Sequence, residues 1–258
     1  MSITAAAGLS LSLSAFAYWK KALTPGGIVL ACLLCVLITS VGGVPAFTVL
    51  VLTLVGTVAA DKAAGVRADP AGVRRKSGSR DARRVFCNVG TGSASIALYL
   101  VTGMEGFLLA YYAVMAESLA DSLASKIGPL SKEEPHDIWT GERIQAGLSG
   151  GVTRLGTFSE LCGAAVIAVT VFAFSGDWKG TAVVLLCGFA GAVSDSVLGS
   201  RVQVKYICCR CGCITEREVH CGEKTVRHSG VPFMSNDAVN LTSNGIALIL
   251  ALAGSVLY

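Results

Sequence analysis

Two Asp-Ser pairs stand at matching places in this chain, each closing an apolar run. DSLASK covers Asp121 to Lys126 and DSVLGSR covers Asp195 to Arg201. Each is an Asp-Ser, a stretch of small residues, then a Ser followed by a base. Each Asp falls near the C-terminal end of a helix, where the macrodipole is negative and a carboxylate is disfavoured. A metal ion would offset that charge; for Asp121, so would an ion pair with Lys126. Two carboxylates meeting at one polar mouth make an oxygen-rich site that suits Mg²⁺. Glu117, Asp121 and Ser125 recur at i, i+4 and share one helix face. Ionisable groups inside an apolar run are costly and point to function by default, although Glu117 reads as a structural partner.

Anion-binding features surround these acids in sequence. GLSGGVTRLGT runs from Gly147 to Thr157. Its glycines let backbone N–H groups approach an anion, and Ser149, Thr153 and Thr157 add hydroxyls. It opens the next apolar run, so those groups would stand at a helix N-terminus. The spacing is not that of a Walker A loop; a tightly packed Gly turn is the structural alternative for Gly150, Gly151 and Thr153. Arg80, Arg83 and Arg84 lie within about one helical turn of the apolar run that follows, and with Asn88, Ser125, Lys126 and Arg201 they complete a candidate phosphate set. In NDAVNL, one of Asn236 and Asp237 is expected to cap a helix, while Asp237 and Asn240, three apart, share a face that would join the mouth.

A third cluster is rich in sulfur. Cys208, Cys209, Cys211, Cys213 and Cys221 fall within one polar loop. Alternation at Val202, Val204 and Tyr206, then the polar TERE run before Val219, suggests a β-hairpin. C-x2-C-G followed by His220-Cys221-Gly222 resembles a zinc knuckle, with Cys208, Cys211 and Cys221 as ligands and His220 or His228 as the fourth. Free thiols are the alternative. Cys32, Cys35, Cys87, Cys162 and Cys187 lie in apolar runs and read as packing residues.

The elements that must hold these groups are membrane helices. With 53% apolar and 15% charged residues and a mean hydropathy of +0.64, the chain is far from a soluble average. Runs near 2–19, 25–41, 43–60, 85–101, 103–124, 160–176, 179–199 and 238–257 approach the length a bilayer core needs. The expected fold is all-α and polytopic: a single membrane domain over 1–258, with about eight transmembrane helices in hairpin pairs and a small Cys-rich cytoplasmic β-hairpin loop. On this layout 20 of the 21 Lys and Arg fall on one side, Lys179 being the exception. That side is cytoplasmic by the positive-inside rule, and it holds loops 61–84, 125–159 and 201–237. Both termini are expected on the opposite side. The first run has no basic n-region, so signal cleavage is not expected. A basic face beside anionic lipid favours amphiphilic phosphates as ligands. Nucleic acid fits poorly, because no loop interleaves aromatics with bases.

SRDARRVFCNVG, ADSLASKIG, GLSGGVTRLGT, SDSVLGSRVQ and SNDAVNL occur in the order seen in the domain of unknown function 92 family. That family contains animal transmembrane protein 19 and the plant phytyl-phosphate kinases, and the resemblance runs over most of the chain. The D-x2-A-S-x2-G of Asp121 to Gly128 is also similar to a segment of CTP-dependent dolichol and diacylglycerol kinases. The resemblance implies phosphoryl transfer from a nucleoside triphosphate, CTP first, to a prenyl monophosphate. Asp121 and Asp195 would hold Mg²⁺, Arg80 with Arg83 or Arg84 would contact phosphates, and Gly150, Gly151 and Thr153 would cradle the nucleotide. The chain departs from the family pattern at Lys126, usually Glu, at Asp81, usually Asn, and at Arg84, usually Gln. Lys126 reverses the charge beside the expected metal carboxylate: a metal that relied on the Glu would be lost and the activity altered or absent with the fold kept, the alternative being that Lys126 contacts a phosphate. Two other function classes compete with the kinase. A transporter of a phosphorylated lipid wants ionisable groups near the midplane, and a non-catalytic scaffold would bind zinc without nucleotide.

Overall fold

A computed structural model describes residues 8, 23–65, 73 and 81–256. The apolar run at 2–19, Lys20 and Lys21, Arg80 and most of the 61–84 loop lie outside the described residues, as does the side chain of Arg84. The chain is mostly helical. Among the described residues, five helices are long and apolar enough to cross a membrane, namely α1 (Pro25–Ala64), α4 (Glu105–Ile127), α5 (Arg154–Ser175), α6 (Trp178–Arg201) and α7 (Asn236–Ser255). A shorter apolar stretch joins α2 (Ala82–Val85), a π segment (Phe86–Gly90) and α3 (Thr91–Thr102).

The 40 residues of α1 would span about 60 Å if straight, twice the bilayer core. They do not run straight. Gly43 takes φ 66° and ψ −157°, a conformation open only to glycine. Gly26 at the start of α1 faces the Ala82 methyl, while Asp61 near its end pairs with Lys126. Ala82 and Lys126 belong to one end of the bundle, since Arg83 bonds Asp237, which lines the same cavity as Asp61 and Lys126. Gly42, at the bend, instead lies against Ile96 and Leu108. So α1 folds back on itself, and the expected break between 41 and 43 is a single glycine. The other tight connections also end on left-handed glycines: Gly103 (φ 69°) closes α3 and Gly176 (φ 67°) closes α5. Asp177 then caps α6 by accepting from the N–H groups of Lys179 and Gly180.

Helix α4 is the centre. It is buried without a break from Ala110 to Ala120, and it packs on α1, α3, α5, α6 and α7. Small residues make this possible. A Cβ at Gly163 of α5 would fall 2.7 Å from the Cα of Ala120, and one at Gly188 of α6 would fall 2.5 Å from the Ala116 methyl. Close backbone approach is how membrane helices gain packing when lipid is as apolar as leucine. Tyr111, fully buried, satisfies its hydroxyl on the carbonyl of Ala46 at 2.8 Å. Leu33, Val101, Val169, Leu186 and Ile249 point outward. Gly163→Val should therefore lower the thermal midpoint, by an overpacking cost of about 1–3 kcal/mol. Gly245→Ala, placed in open space, should leave the midpoint level or raise it. A Gly163→Val protein as stable as its parent would refute the close crossing.

Outside the helices, β1 (His136–Asp137) pairs antiparallel with β2 (Gly151–Val152). The Cys-rich stretch builds a small lobe in which β3 (Lys205–Ile207) lies between β4 (Ile214–Thr215) and β7 (Val226–Ser229). A second ladder joins β5 (Val219–His220) to β6 (Glu223–Lys224). Val73 meets this lobe, its carbonyl accepting from the Glu216 N–H and the Thr215 hydroxyl.

Candidate functional site

Helices α4 and α6 both leave a tight glycine turn and end at the same polar mouth. Asp121 and Asp195 each lie six residues before their helix ends, and both line one cavity of about 790 Å³, within the range of small-molecule sites. Behind Asp195 stands a hydrogen-bond network centred on α7. The Ser243 hydroxyl lies 2.6 Å from Glu117 Oε1 and 3.1 Å from Asp195 Oδ2. Asn240, with its amide turned to suit both neighbours, donates to Asp195 Oδ2 (3.2 Å) and to the Asn236 carbonyl (2.9 Å). Glu117 is buried beneath this layer. The π segment adds to it: its extra residue per turn leaves carbonyls unused, and those of Cys87 and Asn88 accept from Asn244 and Ser118. Asp237 and Asn240 line the mouth, but the helix cap is neither Asn236 nor Asp237. Ser235 caps α7 by accepting from the Ala238 N–H.

The basic residues are distributed differently from the sequence expectation. Lys126 lines the cavity and pairs with Asp61 at 2.7 Å, not with Asp121. Arg83 reaches Asp237 (3.5 Å) and the Ser235 hydroxyl (3.2 Å). Arg201 lies over the Trp139 ring, 5.1 Å from its centroid, and is not among the lining residues. Arg217, which sequence reasoning missed, enters from the Cys-rich lobe. Among the described residues, seven carboxylates line the cavity against two basic groups, Lys126 and Arg217. A polyanion would meet net negative charge there unless a cation came with it.

The Gly-rich loop is a built wall. Gly150 has φ 88°, and a Cβ on it would fall 2.5 Å from the Cα of Ser200, so the loop rests directly on the end of α6. Gly151 and Thr153 also line the cavity. Thr153 caps α5, accepting from the Gly156 N–H at 3.0 Å and donating to the Gly128 carbonyl at 3.2 Å. Glu216 of the Cys-rich lobe holds the same loop, its Oε1 accepting from the Ser149 N–H at 2.8 Å. Ser125 and Asn88 complete the lining near Lys126.

Asp137 anchors the outer part of this loop. Burial alone would raise its carboxyl, but the Thr140 N–H, the Ser200 hydroxyl and the Trp139 N–H together hold it below its ordinary value. A depressed folded value means that the stabilisation is complete above the unfolded carboxyl value of ~3.9. It is lost as pH falls through the lower folded value. The loop over 131–153 should then resist proteolysis near pH ~5 and open below about pH 4. Cleavage that ignores pH across that window would mean that Asp137 is no anchor.

In the lobe, the Sγ atoms of Cys208, Cys211 and Cys221 and a ring nitrogen of His220 lie within 4.8 Å of one another. His220 Nδ1 is 3.5 Å from Cys211 Sγ and 3.3 Å from Cys221 Sγ. His228 stands on exposed β7, outside this group. Three sulfurs and one imidazole at such separations can hold a metal ion. The Cys208 thiol is lowered to about 6, first by the Cys211 N–H and then by His220, whereas neighbouring sulfur raises Cys221 to about 11.

Sequence reasoning also missed Glu160 on α5, Ser243 and Asn244. The signal for Glu160, an acid within an apolar run, was the one that singled out Glu117 and Asp121.

The family described as "Integral membrane protein DUF92" matches residues 8–248. An uncharacterised membrane protein of Methanocaldococcus jannaschii is 31% identical over 115 residues, covering 43% of this chain and 47% of that protein. The chain thus spans less than half the length of this relative. Protein PGR of Arabidopsis thaliana is 24% identical over 212 residues, 70% of this chain and 71% of the relative. No solved structure matches.

Proposed function

The chain belongs to the DUF92 family of integral membrane proteins, and from that premise and the geometry of the mouth we propose that it transfers a phosphoryl group from a nucleoside triphosphate, CTP first, to an isoprenoid monophosphate. The supporting observation is the acid-rich cavity in which Asp121 and Asp195 arrive from two helices. A phosphate monoester is already an anionic nucleophile, so the protein needs position and charge rather than a base. The donor set fits a hard cation: carboxylates flanked by serine and asparagine oxygens suit Mg²⁺. Bound there, Mg²⁺ would offset the charge of the phosphates. Asp121 and Asp195 would hold it, with Ser243 and Asn240 fixing the rotamer of Asp195. Gly150, Gly151 and Thr153 form the wall along which the triphosphate lies. Lys126 exchanges Asp61 for a phosphate oxygen, and Arg217 and Arg83 supply further positive charge at the rim. In the lobe, Cys208, Cys211, Cys221 and His220 fit Zn²⁺ by ligand type and would fasten Glu216 against the Gly-rich loop.

In this reading the mouth faces the cytoplasm, because the loops on its side carry 20 of the 21 Lys and Arg. The folded-back α1 counts as two passes, and the run at 2–19 completes eight, with both termini on the far side. The prenyl tail lies between helices, and its phosphate sits at the mouth.

The test is the thermal midpoint of the detergent-purified chain with CTP, ATP, GTP or UTP, each with and without Mg²⁺. It is followed by transfer of labelled terminal phosphate to a prenyl monophosphate. A ligand held only by the folded state raises the midpoint, adding about 2.7 kcal/mol at a hundredfold excess over Kd. A Mg²⁺-dependent shift with one nucleotide, together with transfer, names the donor. No shift with any of the four would replace the kinase by a scaffold or a lipid-phosphate transporter.

A further inference from the structure

Glu160 is an acid in the mouth that neither the hydrogen-bond network nor the proposed Asp121–Asp195 pair uses. It sits on α5 one turn before Gly163. That glycine meets the backbone of α4 at Ala120, the residue preceding Asp121. The crossing therefore carries Glu160 to the side of the mouth where Asp121 stands, and both line the cavity. Glu160 is only 4% exposed, and its Oε1 has no hydrogen-bond partner among the described residues. Among the described residues the charge that acts on it is that of Asp121, and Glu117 and Asp195 in turn stand within its reach.

A buried carboxylate oxygen with no donor is unstable as an anion and must gain either a proton or a cation. Asp195 and Glu117 differ, because the Ser243 hydroxyl serves Glu117 Oε1 at 2.6 Å and the turned Asn240 amide donates to Asp195 Oδ2. Glu160 has an oxygen to spare, a carboxylate neighbour and a cavity in front of it. Hard divalent cations take carboxylate oxygens from facing helices in this way.

We propose that Glu160 and Asp121 form a divalent-cation site on the α4–α5 side of the mouth that fills before any nucleotide binds. It deepens the phosphotransfer reading and rests on it for its purpose: Asp121 is shared between this site and the one completed by Asp195 with nucleotide. Two cations that share a carboxylate would clamp both the attacking and the leaving oxygens of a phosphoryl transfer.

The experiment is Mn²⁺ binding to the full chain in nanodiscs without nucleotide, read as loss of the free Mn²⁺ resonance signal, with Mg²⁺ as competitor. The parent should bind Mn²⁺ and release it to Mg²⁺. Glu160→Gln and Asp121→Asn should each weaken binding by about tenfold or more, the low end for loss of a group that supports a metal, and Asp195→Asn by much less. The thermal midpoint of Glu160→Gln without cation should equal or exceed that of the parent, which separates lost binding from lost fold. Should Glu160→Gln not purify, Glu160→Asp keeps the charge and should bind Mn²⁺ weakly. A parent that binds no Mn²⁺ without nucleotide overturns the site. So does a Glu160→Gln protein with parental affinity, which would mean that a proton neutralises Glu160. Mn²⁺ binding that needs Glu160 in a chain that transfers no phosphate would instead overturn the phosphotransfer reading and leave the cation site standing.

Discussion

Asp121→Asn should cut Mg²⁺-dependent phosphoryl transfer by about 10²–10³-fold, the scale seen when one group that stabilises transition-state charge is removed. Asp195→Asn should do nearly as much. The amide matches the carboxylate in shape but removes a full negative charge from a cavity where acids outnumber bases. Neither variant should be less stable. Asp121 shares its surroundings with Glu117, Glu160 and Asp195, so an amide in place of one of these crowded acids lowers their mutual repulsion. Asparagine at 195 can still accept from Ser243. The informative result is thus a split, with transfer lost and the thermal midpoint level or raised. Steady-state rates across a Mg²⁺ titration would show it. A variant that keeps parental transfer at all Mg²⁺ concentrations would remove Asp121 from the site; one that loses transfer by unfolding would make Asp121 a structural residue.

Removing metal from the Cys-rich lobe should weaken nucleotide binding by about 10–100-fold, although no lobe cysteine lines the cavity. The connection is Glu216. Its carboxylate holds the Ser149 N–H at 2.8 Å, next to Gly150 and Gly151, and such a charged hydrogen bond contributes roughly 1.5–3 kcal/mol, with tenfold in affinity for each ~1.4 kcal/mol. Glu216 follows β4, which pairs with β3, and the turn between those strands carries Cys208 and Cys211. Without metal the knuckle has little apolar core of its own: Val219 and Val226 are exposed. A chelator should therefore expose residues 205–229 to hydrogen exchange and raise the nucleotide Kd together. Glu216→Ala should reproduce the weaker affinity with the lobe intact. Unchanged affinity after complete metal removal would mean that the lobe does not support the loop.

Much of the site was legible because its signals are local. Asp121 and Asp195 stood out as acids at the ends of apolar runs, and the Cys/His cluster stood out by its spacing. The tight turns near 102 and 177 were marked by Gly103 and Gly176. Glu160 was legible in principle by the same rule as Glu117, but only its missing partner distinguishes it. The choice of His220 over His228, the pairing of Lys126 with Asp61, and the entry of Arg217 into the cavity had no signature along the chain. Each joins segments far apart in sequence, or, for the histidines, depends on which strand turns inward.

The sequence by itself determined a multi-pass helical membrane protein and marked the acids, glycines and cysteines of its polar segments. Hydropathy, charge asymmetry and short-range spacing are properties of consecutive residues, so they survive without a fold. The tertiary structure alone decided which acids face one another and which oxygens are already satisfied. Those outcomes depend on where helices touch, and the crossings are set by missing side chains: Gly163 against Ala120, Gly188 against Ala116, and Gly150 against Ser200. A glycine shows where a neighbour can approach, but not which neighbour does. Only when α5 and α6 close onto α4 do Asp121, Glu160 and Asp195 come to line one cavity, with Asn240 of α7 donating to Asp195 and no partner for Glu160 Oε1 among the described residues.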